Sequence, residues 1–151
     1  MATKYKGSAE EVRALSALIN VMRAGDALTA SLQRELAGKG LTPSQFGIME
    51  VLLHVGPLCQ GELAGKLLRS NGSTTAGVDG LERRGLVERR REPGDKRFVR
   101  VALTAKGRRL IAGVFPEHAR TVARQFGVLS AGEQEDLRRL CRRLGKSAAG
   151  A

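Results

Sequence analysis

Apolar side chains recur at helical spacing along most of this chain and alternate in only one stretch. Val12, Leu15, Leu18, Ile19, Met22, Leu28 and Leu32 form a first stripe, which predicts a helix from about Glu10 to Leu36 that Gly38 and Gly40 end. In a chain of 151 residues that helix is long, so part of its stripe is expected to pack on another subunit. A second helix is predicted from Pro43 to Val55, stopped by Gly56 and Pro57, and a third from Gln60 to Leu68. After the Arg69-Ser-Asn-Gly72 turn comes a fourth, from Ser73 to Arg84. The period then falls to two. Leu86–Arg91 and Arg97–Leu103 read as strands, with Val99, Val101 and Leu103 alternating with Phe98, Arg100 and Ala102. Between them Glu92-Pro93-Gly94-Asp95 has Pro and Gly where a type II turn requires them. A helix after Thr104 carries Leu110, Ile111, Val114, Phe115, Val122 and Phe126 and is expected to kink at Pro116. The last helix carries Leu137, Leu140, Cys141 and Leu144 on one face, and residues 147–151 are expected to be disordered.

Three capping boxes mark helix starts: Ser8-Ala-Glu-Glu11, Thr42-Pro-Ser-Gln45 and Ser130-Ala-Gly-Glu133. Pro43 falls at the first helical position, where its missing N–H costs nothing.

Composition narrows the class. The length fits one ordinary domain, 42% hydrophobic residues suffice for a core, and 3% aromatics leave the packing to Leu, Val and Ala. The net charge of +11 calls for a polyanionic partner, nucleic acid or an anionic membrane. The apolar runs are too short to span a bilayer and Met1–Gly7 has no signal-peptide pattern, so the expected location is cytoplasmic, with no membrane partner. Cys59 and Cys141 have no CxxC partner and no nearby His cluster, which argues against a disulfide framework or a structural metal. No cofactor is expected.

The order helix, helix, turn, helix and β-hairpin over residues 41–103 reads as a winged helix-turn-helix. Such a fold puts the helix after the turn in the major groove and the wing on the backbone or minor groove. Charge agrees. From Arg83 to Arg100, eight cations (Arg83, Arg84, Arg89, Arg90, Arg91, Lys96, Arg97, Arg100) face three anions (Glu88, Glu92, Asp95), a net +5. The fold class is therefore mostly α with a small β-hairpin wing. Residues 41–103 form the DNA-binding lobe, flanked by dimerisation helices in residues 1–40 and 104–151.

Four segments carry a family resemblance: Leu41-Thr-Pro-Ser-Gln-Phe46, Asp79-Gly-Leu-Glu-Arg-Arg-Gly-Leu-Val-Glu-Arg89, Asp95-Lys-Arg97 and Val101-Ala-Leu-Thr-Ala-Lys-Gly107. Together they make the chain resemble the MarR family of bacterial regulators over nearly its whole length. The resemblance implies a homodimer on double-stranded DNA, with the first and last helices forming the dimer. It implies that Arg97 enters the minor groove and that Asp95 orients it. It also implies a pocket where the first, second and fifth helices meet, lined here by Met22, Phe46, Met49, His54, Val114 and His118. Apolar walls with one or two polar groups suit a small aromatic effector. His54-Val-Gly-Pro-Leu-Cys-Gln60 and Phe115-Pro-Glu-His118 look like a subgroup responsive to phenols, hydroquinones or quinones.

One departure concerns the fourth helix. With Val78 and Leu81 against the core, Arg69, Gly72, Ser73, Ala76, Gly80 and Arg83 face outward, and many family members carry Arg at the positions of Ala76 and Gly80. Base contacts then fall to Arg69, Ser73, Thr75 or Arg83. Alternatively the backbone approaches the groove closely and DNA shape carries more of the specificity, or the glycines are tolerated defects. The full DNA-binding set is Arg69, Ser73, Thr74, Thr75 and Arg83 with Arg90, Arg91, Asp95, Lys96 and Arg97 of the wing, Arg90 and Arg91 acting on phosphates. Cys59, just before the third helix, is either a redox sensor or a buried structural cysteine. The competing classes are a nonspecific architectural DNA-binding protein, betrayed by sequence-independent affinity, and a Cys–His enzyme, for which no nucleophile spacing is present.

Overall fold

The structure is a computed structural model describing residues 4–67 and 71–150, with the backbone alone at residues 71, 92 and 95–97. The elements run α1 (Ala9–Ala37), α2 (Pro43–Val55), β1 (Leu58–Cys59), α3 (Gln60–Leu67), α4 (Asn71–Arg83), β2 (Val87–Glu92), β3 (Asp95–Leu103), α5 (Ala105–Phe126) and α6 (Ala131–Ala148). The expected mostly helical fold with a β-hairpin wing is present.

All three capping boxes form. Ser8, Thr42 and Ser130 each accept a hydrogen bond from the backbone N–H three residues on, and Glu11, Gln45 and Glu133 reach back to the cap N–H. Two further helix starts follow the same logic. Glu62 accepts from the Cys59 N–H at 2.9 Å, and Thr104 Oγ1 accepts from the Gly107 N–H at 3.0 Å. Helix α6 extends through Ala148, so residues 147 and 148 are helical rather than disordered.

The sheet has the order β1-β3-β2, all antiparallel. Val87 pairs with Leu103 and Arg89 with Val101, and the register shifts at Arg91 and Glu92. Gly94 has φ 98°, the left-handed conformation that the third residue of a type II turn needs. Strand β1 was not expected. It is two residues long, Leu58 pairing with Val101 and Cys59 with Arg100, too short for alternation to reveal.

The chain divides into two compact units, one ending at Ala112 and one starting at Gly113. In the first, Leu36, Phe46, Ile48, Met49, Leu52, Leu63, Val78, Leu81, Leu86, Val87, Val101 and Ile111 are all 2% exposed or less. A core of this kind, with each side chain worth roughly 1.5–3 kcal/mol on burial, holds the helices against the sheet. In the second, Gln134 Nε2 donates to the Phe126 and Leu129 carbonyls and closes the turn between α5 and α6. The apolar face predicted for α6 is present but exposed: Leu140 is 51% and Leu144 57% open, and Cys141 is exposed with them. Leu18, Val21, Met22 and Leu28 of α1 are exposed too.

Candidate nucleic-acid interface

Helix α4 has four distinct sides, set by the rotation of about 100° per residue. The core side is Thr74, Val78 and Leu81, each 0% exposed. Thr74 was expected to face DNA and does not. It precedes Val78 by four residues and Leu81 by seven, which is the spacing of one buried stripe, so its side chain belongs to the core and not to the interface. The opposite side carries Gly72, Ser73, Ala76 and Arg83, all exposed as predicted; Gly80, expected to face outward with them, is half-buried beside Gln45 of α2.

The third side faces the wing and α3. Arg89 of β2 donates to Asp79 Oδ1 at 2.6 Å and to the Glu82 carboxylate, while its backbone N–H donates to Glu82 Oε1 at 3.2 Å. Partial burial pulls the guanidinium pKa down, but the hydrogen bonds and charges of Asp79 and Glu82 outweigh it and hold the pKa above the ordinary arginine value. Gln60, the first residue of α3, donates to Thr75 Oγ1. The Thr75 hydroxyl is therefore engaged inside the lobe. Arg89 and Gln60 were not singled out in the sequence as residues that position this helix.

The fourth side faces α2, and here the glycines have a structural use. A Cβ on Gly77 would lie 2.6 Å from Ile48 Cδ1 and 3.4 Å from Ser44 Oγ, so the missing side chain is what lets α2 and α4 touch. Neither sequence-based account of the glycines covers this. Arg84 Nη1 donates to the Gly40 carbonyl at 2.7 Å, fastening the end of α4 to the turn between α1 and α2. The same helix end is gripped by α5: Lys106 Nζ donates to the Arg84 carbonyl at 2.9 Å and Thr104 Oγ1 to the Gly85 carbonyl at 2.7 Å. Gly107 permits that approach, because a Cβ there would lie 1.9 Å from the Leu86 carbonyl oxygen.

The cations counted in the sequence thus divide. Arg84 and Arg89 are structural. Arg90 is exposed but bonded to Glu88, its Nε donating at 2.8 Å. Arg83 and Arg91 are exposed. Arg69 lies outside the described residues, as do the side chains of Asp95, Lys96 and Arg97, whose backbone forms the start of β3 at the wing tip.

Of the predicted effector-binding residues, Phe46 and Met49 are buried in the core, Met22 and His54 are exposed, Val114 is buried and His118 is half-buried, its ring 6.3 Å from that of Phe115. Cys59 is half-buried in β1. No helix among the described residues is long and apolar enough to cross a membrane.

A model of the MarR family matches residues 41–99. The HTH-type transcriptional regulator MhqR of Bacillus subtilis is 31% identical over 136 residues, 90% of this chain and 94% of that protein. Among solved structures, AbsC, a MarR family transcriptional regulator from Streptomyces coelicolor, has the same fold with a TM-score of 0.86 at 21% identity, over 97% of this chain and 100% of that one. PcaV from the same species, solved with its natural ligand, shares the fold with a TM-score of 0.73 at 23% identity, over 83% and 91%. The helix-turn-helix with its wing, the basic hairpin and the match to MhqR over 90% of its length place this chain in the MarR family of winged-helix transcription regulators.

Proposed function

We propose that the protein is a homodimeric repressor of a palindromic DNA operator, released by a small aromatic ligand. The observation that carries the reading is the outward side of α4: Gly72, Ser73, Ala76 and Arg83 stand clear of the core while the other three sides are fixed to α2, α3 and β2. A helix held rigidly on three sides, with small and hydrogen-bonding residues on the fourth, can enter a major groove about 12 Å wide. In this reading Ser73 and Arg83 meet the DNA there, Arg90, Arg91 and Lys96 meet phosphates, and Arg97, oriented by Asp95, enters the minor groove. Arg69 is proposed to join these DNA contacts.

The exposed leucines of α1 and α6 support a dimer, since apolar surface of that extent is stabilised by burial. A two-fold axis then repeats the operator half-site. For the ligand, the support is that PcaV, a protein of this fold, binds one. The residues that the family resemblance implies for it are Met22, Phe46, Met49, His54, Val114 and His118. A ligand acts by binding better to the form that misfits DNA, and a tenfold loss of operator affinity takes about 1.4 kcal/mol of coupling. The test combines sedimentation with operator titration in the presence of salicylate and methylhydroquinone. A dimer whose DNA affinity falls with either compound supports the proposal. A stable monomer at micromolar concentration would contradict the dimer. Release by thiol oxidants alone, abolished by Cys59→Ser, would replace the ligand by redox sensing.

A further inference from the structure

On the side of α4 that faces α2, Gly80 leaves a notch between two hydrogen-bond donors. The Cβ position it lacks lies 3.0 Å from Gln45 Nε2 and 3.9 Å from Arg83 Nη2. The orientation of the Gln45 amide is set by its other end. Its Oε1 accepts from the Thr42 N–H at 3.2 Å and from Arg84 Nη1 at 3.5 Å. Both partners are donors, so the oxygen must face them and the NH2 must face Gly80. Among the described residues neither that NH2 nor the Arg83 guanidinium has an acceptor. Two donors, one neutral and one cationic, therefore flank the Cβ position that Gly80 leaves vacant, at the rim of the outward face of α4.

We propose that this notch seats a phosphate oxygen of bound duplex DNA, between Gln45 Nε2 and the Arg83 guanidinium. The inference rests on α4 being the helix that enters the groove. An α-helix with its side chains is about 10–12 Å across, close to the width of the groove, so it fills it. A donor beside the helix rather than on its leading edge then meets the groove wall, which is the sugar–phosphate backbone. Gln45 is such a donor, since it comes from α2 and reaches the DNA past Gly80. Small residues at 76 and 80 let α4 sit deep, and the hydrogen bonding that a long side chain at 80 would supply comes instead from the neighbouring helix. Gln45 is thus a positioning residue that fixes the register of α4 on the duplex.

Two variants test the notch on a random-sequence duplex and on operator DNA. Gln45→Glu keeps the capping box and the acceptor for Arg84, and changes only the NH2 end into an anionic oxygen. Gly80→Ala adds no charge and fills the notch with a methyl 3.0 Å from Nε2. We expect parent-like melting temperatures and affinity lower by about tenfold for Gln45→Glu and about threefold for Gly80→Ala on both DNAs, with a salt dependence of log K shallower by about one for the charge-changing Gln45→Glu alone. Parent-level affinity in either variant would overturn the proposal while leaving DNA binding by the parent intact. Loss confined to the operator would overturn the phosphate assignment in favour of a base edge. A parent chain that binds neither duplex would overturn the reading of α4 itself.

Discussion

Arg89 of β2 and Asp79 of α4 meet at 2.6 Å, and the same guanidinium holds Glu82, so one side chain ties the wing to α4. It also offsets one of the two negative charges of Asp79 and Glu82, on the surface that the proposed function brings to phosphates. Replacing Arg89 by Met is expected to lower stability by about 1 kcal/mol, the modest value of a partly exposed pair. DNA affinity should fall further, by about tenfold, because Asp79 and Glu82 are then uncompensated. Thermal denaturation beside DNA titration checks this; equal, small effects on both would show that Arg89 merely decorates the surface.

Two glycines of the first unit should respond in opposite directions. Gly107→Ala puts a methyl into the Leu86 carbonyl and is expected to cost about 3 kcal/mol. Gly72→Ala meets nothing within 4 Å and should gain up to about 1 kcal/mol from helix propensity. Melting temperatures of the two variants without DNA decide it.

The hydroxyls of α4 should separate as well. Ser73 is on the outward side, so Ser73→Ala is expected to reduce the preference for operator over random duplex by about 1 kcal/mol. Thr75 accepts from Gln60, so Thr75→Ala should lower stability and leave the preference unchanged. Competition titrations with both DNAs, paired with denaturation curves, tell the two apart.

At the wing, Arg97→Ala is expected to weaken binding by more than about 1 kcal/mol with folding intact. Arg91→Ala should lower the salt slope by about one, as loss of a single phosphate contact does. An Arg97→Ala protein of parental affinity would show that the role implied by the family pattern does not hold in this chain.

Much of this architecture is legible in the sequence because it follows from local rules. The three capping boxes, the stripe of Val78 and Leu81, and the Pro93-Gly94 turn each rest on residues within one or two turns of one another. What escaped is long-range or too short to have a period. Strand β1 has two residues. Arg89 resembles any other cation of a basic hairpin until the fold brings Asp79 and Glu82 to it. Thr74 is polar, and its burial shows only when its spacing to Val78 and Leu81 is weighed above its chemistry. The use of Gly77 depends on Ile48, nearly thirty residues away, and could not be read from α4 alone.

The most direct test is footprinting of the parent protein on the DNA upstream of its own gene. The account predicts protection of two inverted half-sites whose centres lie about 10 base pairs, one helical turn, apart, with the protection lost when Arg97 is replaced by Ala. Protection spread evenly over the fragment, or affinity equal to that for random duplex, would contradict a sequence-specific dimeric repressor.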